Sequence, residues 1–344
     1  MDMTPDTPFQ VLRKTWQPVA LSRDLAPSHA VAYTLLDEAI VVVRFEDGTL
    51  LAAPDACPHK GYALSCGHVL SDKLQCAYHG WEWAPDGRCV GVPSLPDPPQ
   101  RLLDKAGLAA FAVQERYGMV WVRLDEDEAA GLPDIPEFEG RDGWDYLPIE
   151  PMPFGCGFRR EIENYLDMSH FAFAHSGTLG AAADVVLPPM EINRLDDGFE
   201  MLAPFPSVDL PGREPSKLQS AHQRHQRCYL PNFTTIRQTF EDGDERMLVH
   251  VPSPNTHDTC TVFWALAQPR TFDGPDLASQ VAFSTSVLLE DREMCEGQTP
   301  AEVPISPARG GWGVLVSPGD TLANTFQKSF RGFLTEHVAA PVPA

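Results

Sequence analysis

Short apolar runs broken by turn pairs dominate the first third of the chain, and this spacing predicts strands. AIVVVRF (39–45) and TLLAA (49–53) flank Asp47-Gly48, a pair that favours a tight hairpin. WEWAPDGRCV (81–90) repeats the pattern around Asp86-Gly87, and FAVQERYGMVWVRL (111–124) repeats it around Tyr117-Gly118. Residues 126–156 are rich in proline, glycine and acidic side chains, which marks a boundary. We therefore expect an all-β domain over 1–128 and a second domain over 129–344. In the second part the period changes. RREIENYLDMSHFAFAH (159–175), VAFSTSVLLEDREMCEGQ (281–298) and TLANTFQKSFRGFL (321–334) have helical spacing. Between them YLPNFTTIRQTF, ERMLVHV and CTVFWALA read as strands. Helices on an antiparallel sheet make the expected class α+β. The polar, proline-broken stretch 205–227 is expected to be a mobile loop over a pocket.

The 344 residues are enough for two domains with substantial cores. The formal net charge of −22 argues against nucleic acid as a partner. The longest aliphatic run, Ala39–Val43, is far too short to span a membrane. The N-terminus has no basic and apolar leader pattern. Six of the eight cysteines lie at positions without pair spacing, which suggests a reducing, cytoplasmic setting.

The most specific pattern is CPHKGYALSCGHVLSDKLQCAYHGW, which holds Cys57, His59, Cys76 and His79. Two thiolates on one iron and two neutral imidazoles on the other suit a [2Fe–2S] cluster of raised potential. The same four side chains also form a structural zinc set, although a C-x-H loop is unusual for zinc. Gly61 and Gly80 beside the loops suit turns that aim backbone N–H groups at cluster sulfurs. This stretch resembles the Rieske proteins, with Lys60 and Ala77 where the family more often has Arg and Pro. Tyr62 and Tyr78 stand where respiratory members carry a disulfide. That resembles the lower-potential centres of oxygenases and their ferredoxins and leaves Cys66 a free thiol.

A second constellation lies in the helical segment: Asn164, Asp167, His170 and His175. Asp167 and His170 are three apart and share a helical face, and a bend must turn His175 toward His170. Two histidines and a distant carboxylate form the facial set of non-heme Fe(II) oxygenases. Satisfied histidines near a helix end are the plainer alternative. The segment ENYLDMSHFAFAHSGTLG resembles the mononuclear iron segment of Rieske oxygenases, most closely the monooxygenase and demethylase branch. The resemblance implies His170 and His175 as iron ligands and Asp291 as the third. Glu290, Glu293 and Glu296 compete for that role on residue type alone. It further implies that Asp167 links the centres across a homotrimer, with the cluster of one subunit serving the iron of the next.

The chain then reads as a terminal oxygenase that hydroxylates or demethylates a small organic substrate with O2. Electrons come from NAD(P)H through a separate flavin reductase or ferredoxin, since no G-x-G-x-x-G fingerprint is present. An electron carrier with a non-catalytic second domain is the alternative. His250, on an expected strand, is the favoured pocket histidine over His222, His225 and His257. Trp81 and Trp83 are expected in the core. The Asn232 sequon is expected to be unused.

Overall fold

The computed structural model describes residues 3–141, 143–179, 181–182, 186–205, 208–209, 217–305 and 315–338. The chain divides into two compact units, Leu12–Gly131 and Leu132–Ala344 together with Met1–Val11. The division therefore falls three residues beyond position 128, and the N-terminal helix Thr7–Leu12 mostly belongs with the second unit.

The smaller unit is all β apart from short helical turns. It holds two three-stranded sheets and a four-stranded sheet of His68–Leu70, Lys73–Gln75, Glu82–Trp83 and Cys89–Gly91. Its hairpins form where the turn pairs predict. Tyr117 and Gly118 both adopt positive φ, the two-residue turn whose twist matches its flanking strands. Trp81 and Trp83 lie in the core, and the Trp83 indole donates to the Ala106 carbonyl at 2.7 Å.

The larger unit is built on a seven-stranded antiparallel sheet. Its spatial order is Trp144–Phe154, Thr259–Pro269, Glu245–Thr256, Phe233–Thr239, Gln223–Tyr229, Gly198–Pro204 and Glu191–Leu195. The helices Phe158–Leu166, Leu277–Glu296 and Thr321–His337 pack with it. The class is α+β, as the change of period implies.

Two local expectations fail. The helix over 159–175 stops at Leu166, and a separate short turn, Phe171–Ala174, follows. Asp167 breaks it: its ψ of 141° is extended, and its side chain accepts from Ser169 N at 2.8 Å. A short carboxylate that bonds the backbone two residues on competes with helix continuation. The expected loop 205–227 ends early as well, since Gln223–Tyr229 is an interior strand. Its polar alternation hid an inward face, on which Arg224 and Gln226 are buried. Residues 206–207 and 210–216 of that stretch lie outside the described residues. Asn232 is buried, with its amide on the Pro252 carbonyl, so the sequon presents no acceptor at the surface.

Candidate metal centres

Cys57 and Cys76 sit in two loops with one shared backbone design. Cys57 N donates to Tyr62 O at 2.8 Å and Cys76 N to Trp81 O at 2.9 Å. Gly61 N returns to Cys57 O and Gly80 N to Cys76 O, at 2.7 and 2.9 Å. Both glycines take φ near +70°, which a side chain would strain. The thiols are buried at 3% and 1% exposure, whereas the imidazoles of His59 and His79 lie further out with ring centroids 4.6 Å apart. Trp81 stacks on His59 at 4.6 Å. Burial, with His79 and Lys60 nearby, holds the His59 pKa below its ordinary value and favours the neutral, ligating form. His59 Nδ1 is buried and has no hydrogen-bond partner among the described residues. A buried ring nitrogen without a partner is costly unless something binds it, so these side chains fit a mixed thiolate–imidazole cluster.

The second group lies wholly in the larger unit. His170 Nε2 and His175 Nε2 are 3.1 Å apart, and Asp291 Oδ1 lies 3.3 and 3.0 Å from them. Each ring is fixed from behind. His170 Nδ1 is 3.0 Å from Asp167 Oδ2, and His175 Nδ1 is 2.8 Å from Glu290 Oε2. With their Nδ1 protons held by these carboxylates, the neutral rings present both Nε2 lone pairs to the same point. Two lone pairs and a carboxylate oxygen repel unless a cation lies between them. A divalent first-row ion roughly 2.1 Å from three donors at right angles spaces them by roughly 3.0 Å, against roughly 3.4 Å for a tetrahedral site. The observed triangle fits the facial arrangement.

The electrostatics agree. A proton answers the same repulsion: burial works against a charged His170, yet its hydrogen bonds to the Asp167 and Asp291 carboxylates push its pKa up to about 9. Burial pushes Asp291 upward, but hydrogen bonds from His170, His175 and Asn164 hold it well below the usual carboxylate range. The place wants positive charge. Among the described residues this is the single group of three or more such side chains whose ligand atoms all lie within 4.8 Å of one another.

Local sequence explains how these donors meet. In the long helix Leu277–Glu296 the buried residues Gln280, Ser284, Leu288, Asp291 and Cys295 form one stripe, and Asp276 caps its start by accepting from Ser279 N. Asp291 therefore points inward, while Glu293 and Glu296 are exposed and Glu290 is half-buried at the edge of the stripe. Of the competing carboxylates, Glu290 faces the back of His175 and Thr178. Asp167 sits behind His170 through a bond made by the broken helix end, not across a helical face.

The three donors open onto a cavity walled by Phe171, Phe205, Ile236, Leu248, Phe283 and Leu288. His250 also lines it, with Nδ1 2.9 Å from Glu161 Oε1 and its ring stacked on Tyr165. His225 instead pairs with Glu200, and His257 stacks on Phe9. Sequence reasoning did not find Arg224, Gln238 and Arg246 on the sheet wall of this cavity. Alternating polar residues in a strand ordinarily face water, and no local signal marks these as buried. The cysteines are less scattered than their spacing suggests. Cys156, Cys260 and Cys295 are buried, with the Cys156 thiol bonded to the other two.

Residues 15–111 match the Rieske [2Fe-2S] domain family, and residues 154–336 match the vanillate O-demethylase oxygenase C-terminal domain family. Methylxanthine N1-demethylase NdmA of Pseudomonas putida is 30% identical over 86% of this chain and 83% of its own length. Methylxanthine N3-demethylase NdmB of the same organism is 29% identical over 86% and 84%. The solved structure of Pseudomonas putida CBB5 NdmA with caffeine superposes with a TM-score of 0.81 at 26% identity, covering 96% of this chain and 93% of that one. No helix among the described residues is long and apolar enough to cross a membrane. A Rieske domain followed by an oxygenase domain, both matched in one chain, places this protein among the Rieske non-heme iron oxygenases, enzymes that use a [2Fe–2S] cluster, a mononuclear iron and, indirectly, NAD(P)H.

Proposed function

We propose that Cys57, His59, Cys76 and His79 hold the cluster and that His170, His175 and Asp291 hold the iron of a demethylating or hydroxylating monooxygenase. The observation that carries this reading is the triangle of donors lining a cavity, with both imidazole Nδ1 atoms held by carboxylates. Iron in that triangle supplies O2 activation, and the cluster supplies electrons one at a time. The protein's own contribution is positional. Asp167 and Glu290 keep the Nδ1 protons in place, and Asp291 brings the negative charge. The aromatic and aliphatic walls exclude water from the reacting carbon. Burial raises the Glu161 pKa, and the Glu161–His250 pair can hold a proton at the cavity wall.

The substrate class is a small aromatic or heterocyclic molecule with an N- or O-methyl group or another oxidisable C–H bond. Hydroxylation of such a methyl carbon gives a hemiaminal or hemiacetal, which releases formaldehyde. The relatives named as demethylases support this class. Electrons arrive from NAD(P)H through a separate reductase or ferredoxin. The chain works as a cytoplasmic homotrimer in which Asp167 links the cluster of one subunit to the iron of the next. All eight cysteines are unpaired, which supports a reducing compartment.

Iron and sulfide analysis tests the assignment. Three irons and two acid-labile sulfides per chain are expected, with formaldehyde released in step with O2 consumed. Two irons per chain would make the protein an electron carrier. A second expectation concerns the cluster alone. His79→Cys is expected to retain a cluster but to lower its midpoint potential by on the order of 100 mV or more, because thiolate adds negative charge. Potentiometry followed by EPR reads this directly. An unchanged potential would remove His79 from the ligand set.

A further inference from the structure

Arg224, Gln238 and Arg246 lie directly opposite one another on three adjacent strands. All three line the cavity, and each arginine is 4% exposed. Elsewhere in this unit a buried arginine has a counter-charge: Arg159 pairs with Glu302, and Arg160 with Glu163. These two have none among the described residues. Arg246 donates to the amide oxygens of Gln238 and Gln280, at 2.6 and 3.2 Å. Arg224 donates to Gln226 Oε1 and to the Tyr165 carbonyl. Every acceptor is neutral, and no acceptor among the described residues takes Nη2 of Arg246 or Nη1 of Arg224. The Tyr165 hydroxyl, on a residue lining the same cavity, is buried without a partner among the described residues.

Burying a charge without a counter-ion is expensive, so natural interiors pair such groups. Here burial pushes each guanidinium down to about 10, and both stay charged at neutral pH. Arg224 has Asp291 and Asp167 at longer range, but no carboxylate among the described residues is near enough to Arg246 to raise its pKa. The amides of Gln238 and Gln280 fix the plane of the Arg246 guanidinium, leaving a terminal nitrogen for an incoming oxygen. Its planar fork matches a carboxylate better than any neutral group. The apolar wall opposite accepts a ring.

We propose that Arg246, with Arg224 beside it on the same sheet face, receives the carboxylate of an aromatic acid, so that the substrate of this cavity is an anionic arene and not a neutral heterocycle. The proposal rests on reading this cavity as the oxygenase site. It separates the chain from what the printed names of its methylxanthine-demethylating relatives describe.

The test uses the iron-loaded holoenzyme and two isosteric probes, benzoate and benzamide, with binding read as the shift of the thermal midpoint against probe concentration. Benzoate is expected to bind at least tenfold more tightly than benzamide. Arg246→Gln should remove that preference, and Arg246→Lys should restore part of it. Equal affinity for the two probes in the unaltered enzyme overturns the proposal, whether or not the variants fold. So does an Arg246→Gln enzyme that keeps the benzoate preference. The oxygenase reading is decided separately. Formaldehyde released from caffeine, with no preference for benzoate, would keep that reading and sink the anionic substrate. A benzoate preference in a protein without mononuclear iron would do the reverse.

Discussion

Asp291→Ala is expected to abolish substrate oxidation and to strip the mononuclear iron while leaving the visible spectrum of the cluster unchanged. Asp291 Oδ1 is the common neighbour of both Nε2 atoms and of the Asn164 amide, at 2.6 Å from the last. Without it two neutral imidazoles remain, and no negative charge offsets a divalent ion. Loss of an outer-shell partner costs metal sites about 10–100-fold in affinity, and loss of a charged ligand should cost more. The residues proposed to hold the cluster belong to the other compact unit, so their absorbance should persist. Metal analysis after desalting, beside a spectrum from 350 to 700 nm, reads both. A variant with one mononuclear iron and full turnover would remove Asp291 from the ligand set. Glu293 and Glu296 cannot replace it without rotating the helix, because both face solvent.

Asp167→Asn should lower turnover by about 100-fold or more with both metals still bound. Asp167 Oδ2 accepts from His170 Nδ1, His170 N and Ser169 Oγ, and Oδ1 accepts from Ser169 N. Asparagine preserves the size but removes the charge, and charge-assisted hydrogen bonds are roughly twice as strong as neutral ones. The carboxylate is also 22% exposed, which leaves it open to a neighbouring subunit. If it joins the two centres across a trimer, single turnover from pre-reduced protein will stall after cluster reduction, with the reductase step intact. Loss of iron in the variant would instead assign Asp167 to holding His170 alone. Normal single turnover would end the bridging role.

The pattern of the chain gave away more of the chemistry than of the packing. The two donor loops and the two histidines stand out as a pattern because a metal set of the proposed kind needs fixed residue types at short spacings, which local turns can carry. Most of the strands and the two later helices are legible from period alone. Three things were not. The break at Asp167 depends on a side chain competing with its own backbone, and a helical period does not encode it. Glu290 behind His175 is a tertiary choice among four acidic neighbours, decided by the phase of a helix against a distant turn. Arg224 falls in a stretch that reads as a loop and Arg246 looks like a solvated strand residue, and only the assembled sheet shows that both face inward.

One helix ties Arg246 to the donor triangle. Gln280 near its start holds Arg246, and Asp291 further along sits at the donor triangle. At roughly 1.5 Å per residue this is a rigid spacer of about 16 Å, and each residue also turns it by roughly 100°. Losing a single residue between the two would therefore swing Asp291 out of the triangle while leaving a sound helix. The distance from anchor to reacting centre cannot be adjusted in small steps along this element. New substrates of different length must be accommodated by exchanging the side chains at Ser284, Val287 or Leu288, or by the facing strands, and insertions in homologous chains should avoid this span.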